Sequence, residues 1–176
     1  MASDTKNVKL GVCLVFFGDT DLGYTKGGVE VEVATETHEV QVDQFGKSPI
    51  DEVIMGRTVT AKVPLAETTL DNMVKIMPGA KLVADKADPN RKKVVVPNAV
   101  GTSLLKIAKE LRFHPKANAL DDLSDDFTIP LAATAGGLQF AYQLENERIF
   151  NCTFKGYPNA TDGTLFIAGD ETVSAA

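Results

Sequence analysis

Residues Gly27 to Pro64 read GGVEVEVATETHEVQVDQFGKSPIDEVIMGRTVTAKVP, and the parity of their valines decides the fold class. Val29, Val31 and Val33 point one way, while Glu30 and Glu32 point the other. Val40 and Val42 alternate with Gln41 and Asp43, and Val59, Ala61 and Val63 alternate with Thr58, Thr60 and Lys62. Period-two alternation marks strands with one face buried. A reversal at Thr35 to His38 is expected to set Val33 against Val40 and Val31 against Val42, with Glu30 near Asp43 on the opposite face. That face is acidic, and like charges across a ladder oppose pairing unless water or a lysine lies close. Gly46 and Pro49 predict a loop over Phe45 to Ile50, and Asp51 to Gly56 suits either a strand start or one helical turn.

Upstream, LGVCLVFF at Leu10 to Phe17 is almost wholly apolar, as befits a strand covered on both sides or buried between subunits. Gly18 to Tyr24 is a turn. Gly27 and Gly28 precede a strand rather than open a helix, and no Lys-Ser/Thr follows at phosphate-loop spacing. Downstream, Pro64 ends the second strand and the period changes. Leu70, Met73, Val74 and Met77 recur at helical spacing until Pro78-Gly79, which predicts a flanking helix over 65–77 capped by Thr68 or Thr69.

Lys81 to Ala84 and Val94 to Val96 read as short strands around DKADPNRKK, where most of the local positive charge gathers. A solvated hairpin tip is a simpler reading of that cluster than a nucleic acid patch. Leu104, Leu105, Ile107, Ala108 and Leu111 fit a short helix, with Leu111 to His114 turning extended before Pro115. Strands are expected at Phe127 to Ala133, Leu138 to Tyr142, Arg148 to Lys155 and Leu165 to Ala168. Many short strands, regular turns and one strong helix predict a mainly β fold, a single-domain β-sandwich or barrel with a flanking α-helix.

The chain has 176 residues, enough for one good core and short for two. Its formal charge of -6 argues against tight binding of nucleic acid phosphate or anionic lipid. Cys13 and Cys152 lie in apolar or strand-like runs, too few for a disulfide scaffold, which favours an intracellular folding compartment. Met1 to Lys9 is polar and no apolar run reaches spanning length, so the chain is expected to be soluble, with polar arms at 1–9 and 171–176.

The sequence assembles no catalytic centre. His38 lies between threonine and glutamate at an expected turn, and His114 precedes a proline. His114 could pair with a loop aspartate, but an ordinary surface or packing role suits it better. No metal-ligand or nucleophile-elbow spacing occurs, and the four aspartates between Asn118 and Asp126 lack the glycine and closing glutamate of a calcium loop. Glu30 and Glu32 have no local apolar pocket to raise a carboxyl pKa, so a solvated acidic face is the better reading. No enzyme activity, catalytic residue, cofactor or metal is expected.

The sequence resembles the bacteriophage tail tube (major tail) protein family. The residues that carry the resemblance are LGYTKGGVEVE at Leu22 to Glu32, THEVQVDQFGKSPIDEVIMG at Thr37 to Gly56 and TVTAKVPLAETTLDNM at Thr58 to Met73. They continue with LRFHP at Leu111 to Pro115, FTIPLAA at Phe127 to Ala133, ENERIFNCTFKGYPN at Glu145 to Asn159 and LFIAGD at Leu165 to Asp170. None is a catalytic signature, and the specificity lies in their sum and order. The resemblance implies a β-sandwich or barrel with a flanking helix, six copies closing into a ring by edge-to-edge sheet pairing, and rings stacking through a long loop and terminal arms.

It implies a virion tail component, assembled in the host cytoplasm and acting in genome ejection. Its expected partners are further copies of itself, tape measure, terminator and distal tail or baseplate proteins, and double-stranded DNA in transit, with no membrane insertion. The stacking loop then falls at 37–55, with Phe45, Ile50, Val53, Ile54 and Met55 as its candidate contacts. Glu30, Glu32, Glu39 and Asp43 are candidate lumen residues, since an acidic channel lets DNA slide without trapping it; Glu145 and Glu147 form a weaker second set. Two other readings are a related ring-forming part (a tail terminator, a baseplate hub or a secretion tube) and, from another class, a β-sandwich ligand-binding module.

Overall fold

The computed structural model describes residues 8, 9 and 11–174. The expected arm at 1–9 is thus described only at Val8 and Lys9, and Leu10 and the last two residues of the 171–176 tail lie outside the described residues. In chain order the strands are β1 (Cys13–Phe17), β2 (Thr20–Asp21), β3 (Glu30–Gln41) and β4 (Pro49–Leu65). The helix α1 (Leu70–Ile76) follows, then β5 (Lys81–Ala84), β6 (Lys92–Val95), β7 (Lys109–Pro115), β8 (Phe127–Thr134), β9 (Phe150–Gly156) and β10 (Ile167–Ala168). The main sheet runs β2-β1-β7-β8-β9-β4-β3, with β10 beside β8, and every pair is antiparallel. β5 and β6 form a separate hairpin packed on α1. The expected class, mainly β with one flanking helix, is what the chain adopts.

The sheet folds over on itself around one core. On β9 the alternation is complete, with Phe150, Cys152, Phe154 and Gly156 buried between exposed Asn151, Thr153 and Lys155. Val59, Ala61, Val63 and Leu65 of β4, Ile129 and Ala132 of β8, Leu111 of β7 and Val15 of β1 join them in the interior. β8 makes the bend. β7 pairs along one edge of it from Phe127 to Ala132, with a register shift between Ile129 and Ala132, while on the other edge β10 pairs Phe127 and Thr128 and β9 pairs Ala132 to Thr134. Pro130, which has no N–H to give a ladder, lies in that register shift, between the parts of β8 that pair β10 and β9. Gly156 lies at that crossing because a Cβ there would collide with Val59 Cγ1 and stand 2.8 Å from Ile129 Cγ2.

The remaining seam is closed by the segment that follows β2. Leu22 donates its N–H to Val15 O at 2.9 Å, and Thr25 bridges Leu65, so Leu22 is fully buried between β1 and β4. The helix holds this segment. Thr69 Oγ1 caps α1 by accepting from Asn72 N at 3.1 Å, and Asn72 Nδ2 donates to Leu22 O at 3.0 Å. The helix is shorter than the expected 65–77, and it buries Asn72 and Ile76 while Leu70 stays exposed. Of the expected helix, Leu65 belongs to β4, whose pairing with β9 runs to that residue, and Ala66 to Thr69 connect strand and helix.

Two other expectations are corrected. Over Leu104 to Leu111 only Leu105–Ile107 makes a 3-10 turn, because Leu111 and Phe113 are core residues of β7 between β1 and β8. Leu138 to Tyr142 is not a strand: its backbone meets the sheet at the Gln139–Asn151 bridge, Leu138 packs against the core, and the Phe140 ring lies 5.4 Å from that of Phe150. Arg148 fixes that segment instead, donating to Thr68 Oγ1 at 3.0 Å and lying 5.4 Å from the Tyr142 ring centre and 5.7 Å from that of Phe150.

Candidate assembly surface

The most unusual feature lies in the stretch that decided the fold. β3 has 12 residues and β4 has 17, and they form one long antiparallel ribbon. Only the end of β4 from Val59 onward is interior; Pro49 to Thr58 is exposed throughout, and so is all of β3 except Val40, which is half-buried. At ~3.4 Å per residue the uncovered part is about 30 Å long. The expected reversal at Thr35 to His38 does not occur. Val33 pairs with Val59 and Val31 with Ala61, and the chain turns at Asp43–Phe45, where Gly46 takes a left-handed φ of 62°. The segment 37–55 is accordingly mostly paired strand, not loop. Thr35 to His38 contains no residue suited to a tight turn, whereas Gly46 is one.

A bulge divides the ribbon. Glu36 pairs with Gly56 and Thr37 with Ile54, so Met55 is the extra residue on β4. The insertion shifts β4 parity by one without disturbing β3. One face therefore carries Val31, Val33, Thr35, Thr37 and Glu39 of β3, with Ile54 and Glu52 of β4 beyond the bulge. The other carries Glu30, Glu32, Ala34, Glu36 and His38, with Val53 and Asp51. The bond from Thr37 Oγ1 to Glu52 Oε1, 2.5 Å, joins two members of the first face.

This register corrects the candidate acidic set. Glu30 and Glu32 share the face turned away from the core, and Glu30 is neutralised in part by Lys62 Nζ at 3.2 Å. Glu39 stands on the opposite face, directly across from Glu52, and Asp43 is in the turn at the far tip. The structure brings Glu30 and Glu32 together and separates the other two from them. Glu147 pairs with Lys26 Nζ, which holds its carboxyl below the usual carboxylate range, and Glu145 is exposed.

The candidate contacts are all uncovered: Phe45 66%, Ile50 52%, Val53 46%, Ile54 54% and Met55 68% exposed. They do not form one stripe, since Ile54 and Val53 face opposite ways and Phe45 lies at the tip. Apolar side chains on both faces of an unsupported two-stranded ribbon are a surface made to be covered. The edge of β3 turned away from β4 also has no strand partner among the described residues, which leaves a row of open backbone donors and acceptors.

Elsewhere the polar interior is structural in arrangement. His114 Nδ1 lies 2.7 Å from Asp126 Oδ1, both side chains buried, and Arg112 Nε is 3.9 Å from Asp126 Oδ2. The sequence favoured an ordinary role for His114 over a pair with a loop aspartate, and the structure gives it that pair, with the last of the loop aspartates. Cys152 Sγ donates to Val63 O at 3.0 Å, and burial pushes its thiol up to about 12. Among the described residues no group of three or more His, Cys, Asp or Glu is placed to hold a metal ion, and no helix is long and apolar enough to cross a membrane. An open groove of about 850 Å³ lies between Val12 and Cys13 on one side and Gly28 and Val29 on the other. No family model matches the chain, and no curated protein is significantly similar to it.

Proposed function

We propose that the chain is the structural subunit of a bacteriophage tail tube, assembling as stacked hexameric rings that conduct DNA during ejection. One observation carries this reading beyond the resemblance: a ribbon about 30 Å long leaves the folded body with both faces and one edge uncovered. A two-stranded ribbon alone in water is marginal, so its length and apolar content suit a segment that a neighbouring subunit receives. The free edge of β3 suits ring closure, a heterologous contact in which each copy pairs with the next. Glu30 and Glu32, on the outward face at the base of the ribbon, remain the lumen candidates, and Phe45, Ile50, Val53, Ile54 and Met55 the stacking contacts. Tape measure, terminator and distal tail or baseplate proteins are the further partners of such a tube.

A second reading is a β-sandwich binding module. The groove between Val12, Cys13, Gly28 and Val29, with walls of mixed polarity, is the observation that favours it. Negative-stain microscopy of the concentrated purified chain separates these readings. Long tubes support the tail tube; rings that stop at a fixed number indicate a terminator or hub; monomers at every concentration leave the binding module.

A further inference from the structure

The basic hairpin that the tube reading leaves unused matches the acidic ribbon in charge and in pattern. Between Ala34 and Thr58 the ribbon has five acids and two bases, net -3, and between Lys81 and Val95 the β5–β6 hairpin has five bases and two acids, net +3. The match extends to single faces. Lys81 pairs with Val95 and Val83 with Lys93, so these four share a face, opposite the half-buried Leu82–Val94 pair. Val83 is 41% and Val95 47% exposed. That outer face is a checkerboard of two lysines and two valines.

Beyond its bulge the ribbon offers the complement. Glu39 stands across from Glu52, and Ile54, across from Thr37, is their exposed apolar neighbour. Two carboxylates opposed on one face repel, and neither has a cation within ion-pair distance among the described residues. Lys81 and Lys93 likewise form no ion pair there. Each patch thus holds unneutralised charge of one sign around exposed aliphatic groups.

We propose that the ribbon of one copy docks on the β5–β6 hairpin of a second copy, with Glu39 and Glu52 meeting Lys81 and Lys93, and Ile54 packing on Val83 and Val95. The contact is head-to-tail, because donor and acceptor patches lie on different elements, and it therefore propagates. It rests on the reading of the chain as a self-assembling subunit and names the surface that receives the ribbon.

Two charge-reversed proteins test it. One carries Glu39→Lys and Glu52→Lys; the other carries Lys81→Glu and Lys93→Glu. All four residues are exposed, so both variants keep the fold, which their circular dichroism and melting temperature check. Each alone faces like charge at every junction, and its critical assembly concentration rises by about tenfold or more. An equimolar mixture presents opposite charge at every alternating junction and recovers assembly, as does one chain with all four reversals. Raised salt weakens the wild-type contact and the mixture alike. If either variant alone assembles as the wild type does, or the mixture stays as inert as its parts, the docking assignment is wrong while the tube reading stands. If the wild type stays monomeric at all concentrations, both fail.

Discussion

The rings of Phe17 and Phe154 meet with centroids 5.0 Å apart and planes inclined at 55°, although β7 and β8 lie between their strands in the sheet. In a flat sheet, three strand spacings of ~4.8 Å would hold the two side chains about 14 Å apart. The contact therefore exists only because the sheet folds over at β8, and it reports on that closure. Phe154→Ala is expected to lower stability by about 3–5 kcal/mol in denaturant unfolding. Phe17→Ala should cost somewhat less, since Phe17, also buried, keeps 8% exposure where Phe154 keeps none. In a double-mutant cycle the pair should couple by about 0.5–1.5 kcal/mol, and strict additivity would mean that the two rings do not share one core.

A second prediction concerns the buried polar group on the other face of β7 and β8. Asp126 accepts from His114 and lies near Arg112, while Thr128 Oγ1 is buried with no hydrogen-bond partner. Asp126→Ala strips the buried carboxylate that meets a buried imidazole and a mostly buried guanidinium, so it should cost about 3–5 kcal/mol. Thr128→Val keeps the shape and removes a hydroxyl that bonds to nothing, so it should be neutral or mildly stabilising. Equilibrium unfolding of the two variants decides the matter, and a large loss at Thr128 with none at Asp126 would reverse the assignment.

What was legible in the sequence followed from local pattern. The period-two run at Phe150 to Phe154 matched its burial, Thr69 was a readable cap, and β8 was bounded almost to the residue. The failures share a cause: pairing between residues far apart. Nothing local distinguishes a turn at Thr35 to His38 from a strand that runs on to Gln41, although Gly46 was the better turn residue. The Met55 bulge is invisible to periodicity because it exists only relative to β3, and it sets which way Glu52 and Ile54 face. The acidic candidates share an alternation against valines, and register divides them all the same. Leu111 carried a helical spacing and a strand position at once, and pairing with β1 and β8 decided between them.

The thiols give a pH prediction. Burial raises Cys152 to about 12 in the folded chain, whereas an unfolded cysteine ionises near ~8.5. The folded state holds its proton where the unfolded state releases it. The stability linked to Cys152 is thus complete below roughly pH 8.5 and is lost as pH rises toward 12, with a limiting slope of about 1.4 kcal/mol per pH unit. Cys152→Ala should abolish that part of the slope. In the native protein at pH 8, iodoacetamide should modify half-buried Cys13, itself raised by burial, slowly and leave Cys152 untouched. Rapid native labelling of Cys152 would show that the β4–β9 core opens.

The ribbon provides the last prediction, on local stability. From Ala34 to Gln41 and Pro49 to Thr58 its backbone hydrogen bonds lie beneath side chains that, Val40 apart, are exposed on both faces, with no third strand among the described residues. Opening such a segment costs far less than global unfolding. In dilute monomer its amides should exchange within seconds to minutes, and a protease should cut first near Asp43 to Lys47 at the turn. Amides of β8 and β9, inside the core, should exchange only by near-global opening. Assembly should then protect the ribbon strongly and change β8 and β9 little, because the ribbon passes from water into an interface while the core strands are already covered. Replacing Ile54 with Asp should leave the melting temperature of the monomer within about 2 °C of wild type, as expected for an exposed site. The same change should raise the concentration needed to assemble by about tenfold or more, since it sets a carboxylate against the aliphatic groups of Val83 and Val95. Ribbon amides as protected in dilute monomer as those of β9 would mean that the folded body already covers the ribbon, and the case for a receiving neighbour would go with it.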